Sequence, residues 1–394
     1  MPQAFFALLM PEMRSIYLDY NATTPLDPDV RAAMEPFFAE VWGNPSSVHH
    51  IGRKARAMLD ELRDRSSIVL GCKPSELVFT SGGTEANNLA IFGTARLLRD
   101  KGRHLITSTI EHHAVLHCFD YLQKHEGFKV TRLPADSNGL VNPEDLQAAL
   151  RDDTVLVSIM AANNETGTIQ FVSECGELCQ KRGILFHTDA AQWFGKEEFH
   201  EIGQFNADLV SICAHKFHGP RGSGALYIKS PLLPHPVLFG GAHENERRAG
   251  TENLPVLAGF SESLERFVKK PVFERNRLES LSHRLIAAVD SMEHATFRGH
   301  STQRLANTVS FTVTRCDSIA LMAGLDMEGI CGSSGSACSA GSIEPSHVML
   351  AMGVSPEESN ALVRFSLGRD TTEEEIEQVI ELLPGIIERL RTFQ

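Results

Sequence analysis

The chain has 394 residues, which is long enough for two domains with substantial cores. Its content of 42% hydrophobic and 22% charged residues is typical of a globular protein. The formal net charge of -13 argues against nucleic acid, or an anionic membrane surface, as the main partner.

The eight cysteines are spread along the chain without the density of a disulfide scaffold, which favours a reducing, cytoplasmic location. Residues 4–10 are apolar, but no basic residue precedes them and they are too few to span a bilayer. We therefore expect residues 1–13 to form a disordered tail rather than a signal peptide or a membrane anchor. A translation start at Met13 is an alternative to one at Met1.

After a segment at 14–26, helices are predicted from Asp27-Pro28 to about Glu40 and from Val48 to Leu70. From there to Tyr227, strand-like runs alternate with helical runs. The predicted strands are Leu77–Thr80, His104–Thr109, Phe128–Leu133, Val155–Met160, Gly183–Thr188, Ala207–Ala214 and Ala225–Ile228. The predicted helices between them are Glu85–Leu98, Ala114–Lys124, Pro143–Leu150 and Ser173–Arg182.

This alternation predicts an α/β domain with a mainly parallel, seven-stranded sheet covered by helices on both faces. The residues Lys269-Lys270-Pro271 follow a helix predicted at 254–268 and mark a domain boundary. Helices at 274–292, 318–325 and 373–391, with strands at 308–313 and 362–366, then predict a smaller α+β domain. We assign 27–262 to the large domain and 263–394 to the small one, with 14–26 joining them.

Lys216 follows the predicted strand Ala207–Ala214 and precedes a Gly-Pro turn. In open α/β sheets, ligands bind at this carboxyl edge of the strands. A partly desolvated lysine loses its proton more readily, and the neutral amine forms a Schiff base with an aldehyde such as pyridoxal phosphate (PLP). For a lysine considered alone, the alternative of an ordinary surface residue is favoured.

Asp189 ends the preceding strand-like run. Its presence favours a functional role for Lys216 over an ordinary surface position. A PLP enzyme needs a carboxylate that keeps the pyridine nitrogen protonated, so that the ring accepts electrons. An aspartate and a lysine at two strand ends meet this requirement, and the pair predicts a PLP site.

The stretches HTDAAQ at 187–192 and AHKFHGP at 214–220 resemble the cofactor motifs of NifS/IscS-type, class I cysteine desulfurases. The resemblance extends from about Ile16 to Arg391. It implies a fold type I PLP enzyme, with the active site between two domains at a homodimer interface. It also implies conversion of L-cysteine to L-alanine, with Lys216 as the cofactor lysine.

The resemblance assigns the cofactor phosphate to Gly83 and Thr84, in TSGGTE at 80–85, together with position 213 and His215. Free N–H groups at a helix start attract phosphate, although many strand-to-helix turns carry glycine and threonine for local reasons. Thr251 is implied to reach the phosphate of the other subunit. Cys213 departs from the family, which usually has a hydroxyl residue there, and a thiol is the weaker hydrogen-bond donor.

His112 matches the histidine that stacks on the PLP ring and assists proton transfer. Asn164 and Gln192 match residues near the phenolic oxygen of PLP, and Asn164 also lies near the substrate. A structural histidine and an ordinary asparagine turn are the alternatives. Arg364 matches the residue that binds the substrate carboxylate, for which a planar, bidentate guanidinium is suited.

Cys338 lies in the stretch GSSGSACSAG at 332–341, whose composition is typical of a loop that does not pack in a core. Such a loop suits a thiol that travels between a cofactor and an acceptor; a linker that happens to contain cysteine is the alternative. The resemblance makes Cys338 the nucleophile that takes the sulfur as a persulfide. No metal site is expected, apart from transient iron–sulfur ligation by Cys338 during transfer.

Two other functions stay open at this point. One is a selenocysteine lyase, and the other is a catalytically silent PLP-fold protein that acts as a binding partner. The presence of Lys216, Asp189 and Cys338 argues against the silent protein, whereas the sequence does not exclude activity on selenocysteine. The expected partners are L-cysteine, a second copy of the chain and a sulfur acceptor or iron–sulfur scaffold protein. IscS-type enzymes continue into a docking segment beyond the position of Gln394, so the acceptor is not assigned.

Overall fold

The computed structural model describes residues 15–335 and 345–391. The expected tail at 1–13 and the position of Cys338 lie outside these ranges. The largest sheet has seven strands in the order β2-β8-β7-β6-β5-β3-β4. Its strands are β2 Leu77–Thr80, β3 His104–Ser108, β4 Lys129–Leu133, β5 Thr154–Ser158, β6 Leu185–Asp189, β7 Leu209–Cys213 and β8 Gly224–Ile228.

The predicted α/β class and mainly parallel sheet are confirmed. Strands β3 to β7 pair in parallel, whereas β8 runs antiparallel to both of its neighbours, β2 and β7. Strands β2, β3, β5, β7 and β8 are buried along their whole length. Burial on both faces accounts for the mostly apolar composition of β2, β7 and β8.

The helices of the described chain cover the sheet and form the second lobe. They are α1 Pro28–Met34, α2 Pro36–Ala39, α3 His50–Leu70, α4 Gly83–Leu98, α5 His113–His125, α6 Pro143–Ala149, α7 Val172–Lys181, α8 Leu254–Phe267, α9 Arg275–Asp290, α10 Ser318–Met327, α11 His347–Ala351, α12 Pro356–Ser359 and α13 Glu373–Arg391. Within the part that the structure describes, none is long and apolar enough to cross a membrane.

The prediction of one helix from Asp27 to about Glu40 was wrong. The chain forms α1 and α2 instead, and Glu35 separates them. Pro36 has no N–H group to donate to the preceding turn, so a continuous helix cannot pass through it without losing a hydrogen bond. Pro36 takes the first position of a new helix, where that N–H is not needed.

A second hydrophobic core surrounds a three-stranded antiparallel sheet in the order β12-β10-β9. Its strands are β9 Ala295–Arg298, β10 Thr308–Val313 and β12 Leu362–Ser366. β9, which the sequence analysis did not predict, is a four-residue, partly exposed edge strand. The N-terminal β1 Ile16–Tyr17 pairs in parallel with β11 Ile330–Cys331 and places Ile16 and Leu18 in this core.

The two cores coincide only in part with the predicted domains, 27–262 and 263–394, joined by 14–26. The division stays a prediction, because Val348, Met349 and Val354 belong to the second range but pack in the core of the large sheet.

His187 ties the middle of the large sheet together. Its Nδ1 lies 2.8 Å from the hydroxyl of Ser158 on β5, and its Nε2 lies 3.0 Å from that of Ser211 on β7. The ring is fully buried, and burial lowers its pKa to about 4. His187 is therefore neutral at physiological pH and links three adjacent strands.

We expect the protonation of His187 to destabilise the fold. The pKa of His187 in the folded state lies below the usual 6.5. The contribution of neutral His187 to the stability of the fold is therefore complete above pH 6.5 and is lost as the pH falls toward 4. Over that interval, the free energy of unfolding of the wild type should fall, relative to His187→Gln, by on the order of 3 kcal/mol. Urea unfolding at each pH measures this difference. The exposed His283→Gln variant is the control, and equal slopes for all three proteins would contradict the prediction.

Candidate active site

A cavity of about 210 Å³ opens at the carboxyl edge of the large sheet, where β12 of the second core approaches it. The residues lining it that sequence analysis had selected are Gly83, Thr84, His112, Asn164, Asp189, Gln192, Cys213, His215, Lys216 and Arg364. The lining residues that it had not selected are Asn21, Ala22, Asn87, Met160, Ala162 and Ala191. The chain thus brings together strand ends, two helix starts and the segment after β1.

Lys216 reaches this cavity from a short helical turn, Ala214–Lys216, that follows β7. Its Nζ donates hydrogen bonds to the backbone carbonyls of Asn21, at 2.7 Å, and Ala22, at 2.8 Å. The amine is therefore held at the strand edge by the N-terminal segment.

Asp189 ends β6, the strand next to β7, and is 6% exposed. Its Oδ2 accepts a hydrogen bond of 2.6 Å from Nδ2 of Asn87, and its Oδ1 accepts one of 3.0 Å from the N–H of Ala191. These two donors fix the plane of the carboxylate. Asn87 lies one turn after Gly83 in α4, and its Oδ1 is buried without a partner among the described residues.

The start of α4 presents backbone N–H groups to the cavity. Gly82 precedes the helix with φ +150°, a backbone conformation that residues other than glycine rarely adopt. No side chain caps the start of the helix. A Cβ atom on Gly83 would lie 3.5 Å from the Cβ of Cys213. Uncapped N–H groups at the positive end of a helix dipole suit an anion such as phosphate.

Cys213 and His215 flank this helix start. The Cys213 thiol faces the backbone N–H groups of Gly83 and His215, and burial raises its pKa, so it is uncharged. Nδ1 of His215 lies 3.1 Å from the hydroxyl of Thr23. Burial and, second, the charge of Lys216 hold the pKa of His215 at about 4, so this ring is neutral as well.

His112 lines the cavity from the N-cap position of α5. Its Nδ1 accepts a hydrogen bond of 3.1 Å from the N–H of Ala114. A neutral imidazole that accepts at one nitrogen carries its proton on the other. The neutral ring therefore has its proton on Nε2.

Arg364 enters from β12 and is only 1% exposed. Its Nη2 pairs with Oδ1 of Asp19 at 2.6 Å, and its Nη1 donates to the carbonyl of Asn164 at 3.0 Å. Its Nε is buried without a hydrogen-bond partner in the described chain. A guanidinium has five N–H groups, so these contacts orient Arg364 and leave donors for a ligand.

Two of the predicted residues are not brought into this cavity. Thr251 is exposed and does not line it, although the nearby Arg248 pairs with Glu85 in α4 at 2.7 Å. Cys338 lies outside the described residues. On the two sides of the gap at 336–344, the backbone of Ser333 pairs with Arg364, and the Ser346 hydroxyl donates to Glu165 at 2.5 Å.

Sequence reasoning missed Asn21, Asn87 and Lys196. Asn21 lies in a turn-like NATTP stretch, which has no chemical signature of its own. The sequence spacing could have identified Asn87, because it follows Gly83 by one helical turn and lies on the same face of the helix. Lys196 lies four residues after HTDAAQ, is 3% exposed and donates a hydrogen bond to Gln192. It was missed because a lone lysine in a sequence predicts a surface position.

These residues fit PLP by their chemistry. A buried, oriented carboxylate suits a protonated pyridine nitrogen, a primary amine at the next strand end suits the aldehyde, and uncapped N–H groups suit the phosphate. Asn87 Oδ1 and Arg364 Nε are polar atoms without partners in the described chain, as expected around a ligand site. Within residues 15–335 and 345–391, no group of three or more His, Cys, Asp or Glu side chains could hold a metal ion.

Comparison with known proteins identifies the family. The family model of the class-V aminotransferases matches residues 16–379. A protein of Dictyoglomus turgidum named cysteine desulfurase IscS is 44% identical over 381 residues, which cover 96% of each chain.

Two solved structures share the fold. A NifS-like protein superposes with a TM-score of 0.87 at 35% identity and covers 96% of this chain and 100% of its own. The protein SspA, solved in complex with cysteine, has a TM-score of 0.79 at 34% identity and covers 91% of this chain and 100% of its own. The chain therefore belongs to the class-V aminotransferase family of fold type I PLP enzymes, among the cysteine desulfurases.

Proposed function

We propose that this protein is a PLP-dependent cysteine desulfurase that converts L-cysteine to L-alanine and delivers the sulfur to Cys338. The observation that carries the proposal is the convergence of Lys216, Asp189 and Arg364 on one cavity. A relative of the same fold has been solved with cysteine bound, which supports cysteine as the substrate.

Cofactor binding is assigned to the strand edges and the start of α4. When bound, PLP supplies an electron sink for the bonds at the substrate's α-carbon. Asp189 would hold its ring nitrogen, and Lys216 would anchor it covalently. The N–H groups of Gly83 and Thr84, with Cys213 and His215, would surround its phosphate.

Around the ring, His112 is assigned to one face, and Asn164 and Gln192 to the phenolic oxygen. Each of the three side chains lines the cavity. The proton on Nε2 of His112 makes this histidine a candidate for proton transfer, which it would share with Lys216.

Substrate binding is assigned to Arg364. Asp19 and the carbonyl of Asn164 hold the guanidinium in place, so little conformational entropy is lost when it binds a carboxylate. Burial strengthens such a charge-assisted pair, because water is excluded.

The sulfur step is assigned to Cys338. Its thiolate bonds to the substrate sulfur, the carbon–sulfur bond breaks, and the electron pair of that bond stays on the carbon side, which takes up a proton. The products are alanine and a persulfide on Cys338, so no external oxidant is needed. The persulfide would then serve a sulfur acceptor or an iron–sulfur scaffold protein in the cytoplasm.

We also propose that the active protein is a homodimer in which Thr251 contributes to the cofactor phosphate of the other subunit. Its exposure and its position outside the cavity of its own chain support this role. Arg248, three residues earlier, ties this segment to the first turn of α4 through Glu85.

We expect Lys216→Ala to abolish covalent attachment of PLP, because Lys216 is the amine that lines the cavity beside Asp189. The wild type should be yellow and should carry a pyridoxyl group on Lys216 after borohydride reduction and peptide mapping. A pyridoxyl group on another lysine, including the buried Lys196, would contradict the assignment.

The function is tested by incubating the purified protein with cysteine and measuring alanine and sulfide. We expect Cys338→Ser to retain the PLP absorbance and cysteine binding but to lose alanine and persulfide formation, since only sulfur transfer needs this thiol. Cys331→Ser, at the residue just before the same stretch, is the control and should keep activity. Full turnover by Cys338→Ser would move the nucleophile elsewhere, and PLP absorbance without alanine from the wild type would favour a silent binding protein.

Cys213→Ser should retain PLP more firmly, because a hydroxyl donates a stronger hydrogen bond to phosphate than a thiol does. The Ser211 hydroxyl cannot substitute, since it is bonded to His187. In a Lys216→Ala background, where phosphate contacts dominate retention, we expect about tenfold slower PLP loss on dialysis. Cys316→Ser, in the second core, is the control. Equal or faster loss from the Cys213→Ser protein would mean that Cys213 only fills space.

A further inference from the structure

Lys196 is a buried amine that the proposed mechanism does not use. It lies behind the cavity and is 3% exposed. Its Nζ donates to Oδ1 of Asn21 at 2.6 Å and to Oε1 of Gln192 at 2.5 Å. Both acceptors are neutral amide oxygens of residues that line the cavity. Burying an amine against uncharged partners is costly, so its position calls for an explanation beyond packing.

The amide of Asn21 has one possible orientation. Its Oδ1 accepts from Nδ2 of Asn307 at 3.1 Å, and its Nδ2 donates to the hydroxyl of Thr308 at 2.9 Å and to the carbonyl of Asn164 at 3.3 Å. A backbone carbonyl only accepts, so the nitrogen must face Asn164 and the oxygen must face Lys196. One N–H of the amine is thereby committed to Asn21.

Lys196 and the backbone carbonyl of Asn21 orient Gln192 together. The Oε1 of Gln192 faces the amine, and its Nε2 donates to the backbone carbonyl of Asn21 at 3.0 Å. A primary amide has two N–H groups on its nitrogen. One is used by Asn21, and the other stays available on the nitrogen of this cavity-lining side chain.

We propose that Lys196 is a positioning residue that holds Gln192 with its N–H, rather than its carbonyl oxygen, toward the phenolic oxygen of PLP. The inference rests on the proposed function, which places Gln192 at that oxygen. With the amide reversed, two acceptor oxygens would face each other and the contact would be repulsive.

The surroundings of Lys196 agree with this role. Burial and, second, the charge of Lys216 lower the pKa of Lys196 well below its usual value, with Arg364 acting in the same direction and Glu197 opposing. An uncharged amine has two N–H groups, which match the two amide oxygens. Lowering the pKa of Lys196 favours the uncharged amine, and the two orienting contacts do not need its charge.

The test is a pH titration of the visible absorbance of the holoenzyme, in which PLP is bound at Lys216. The group that titrates is the nitrogen that joins Lys216 to PLP. A hydrogen bond to the ionised phenolic oxygen of PLP makes this nitrogen less basic. Loss of that bond in Lys196→Met should therefore raise the titration midpoint, by about half a pH unit or more. The exposed Lys181→Met variant is the control for loss of a lysine. An unchanged midpoint in Lys196→Met would overturn the proposal.

Measurements on the Gln192→Leu variant distinguish failure of this inference from failure of the proposed function. Gln192→Leu should itself raise the midpoint, and adding Lys196→Met to it should add little, because Lys196 acts through Gln192. An unshifted Gln192→Leu would refute the contact between Gln192 and PLP. A shift in Gln192→Leu with none in Lys196→Met would refute only the role of Lys196, and so would additive shifts.

If Lys196→Met does not fold, the wild-type holoenzyme still decides the question. Neutron diffraction locates deuterium on the amide of Gln192. Deuterium on the atom that faces the phenolic oxygen supports the proposal, and deuterium on the atom that faces Lys196 contradicts it.

Discussion

Asn21 connects the two cores, and the geometry of the cavity depends on its hydrogen bonds. Its N–H donates to the Ser366 hydroxyl on the small sheet at 2.9 Å, while its carbonyl accepts from Lys216 and Gln192 on the large one. Its side chain meets the buried amine of Lys196 at 2.6 Å. Because an unsatisfied buried polar group costs about 1–3 kcal/mol, such a network favours a single arrangement of the two sheets. The same residue therefore aligns the cores and holds the reactive amine.

The second constraint is the parallel sheet. Neighbouring parallel strands end at the same edge, so Asp189 on β6 and Lys216 after β7 are brought together by topology rather than by proximity in sequence. Strand β12 then contributes Arg364 from the opposite side of the cavity. Asp189, Lys216 and Arg364 thus come from two lobes, so any change in how the lobes pack would separate the guanidinium from the amine.

Burial also sets the charge of this region. His187 and His215 both have their pKa lowered to about 4, mainly by burial, and stay neutral. Burial and neighbouring cations likewise lower the pKa of Lys196. The cavity itself is lined by the amine of Lys216, the guanidinium of Arg364 and the carboxylate of Asp189. The two basic groups suit the carboxylate of an amino acid or a phosphate ester.

The sequence by itself determined the α/β class and most of the helices and strands, and it predicted ten of the residues that line the cavity. These depend on local patterns and on motifs that resemble a known family. Examples of such patterns are the apolar run that ends at Asp189 and the one that precedes Lys216. Tertiary structure alone decided the reversal of β8 and the pairing of β9, because pairing direction and edge strands depend on distant partners. It also decided the roles of Asn21, Asn87 and Lys196, whose significance lies in contacts with residues far away in the chain. A local pattern specifies an element and its chemistry, whereas a buried polar network exists only once distant segments have packed.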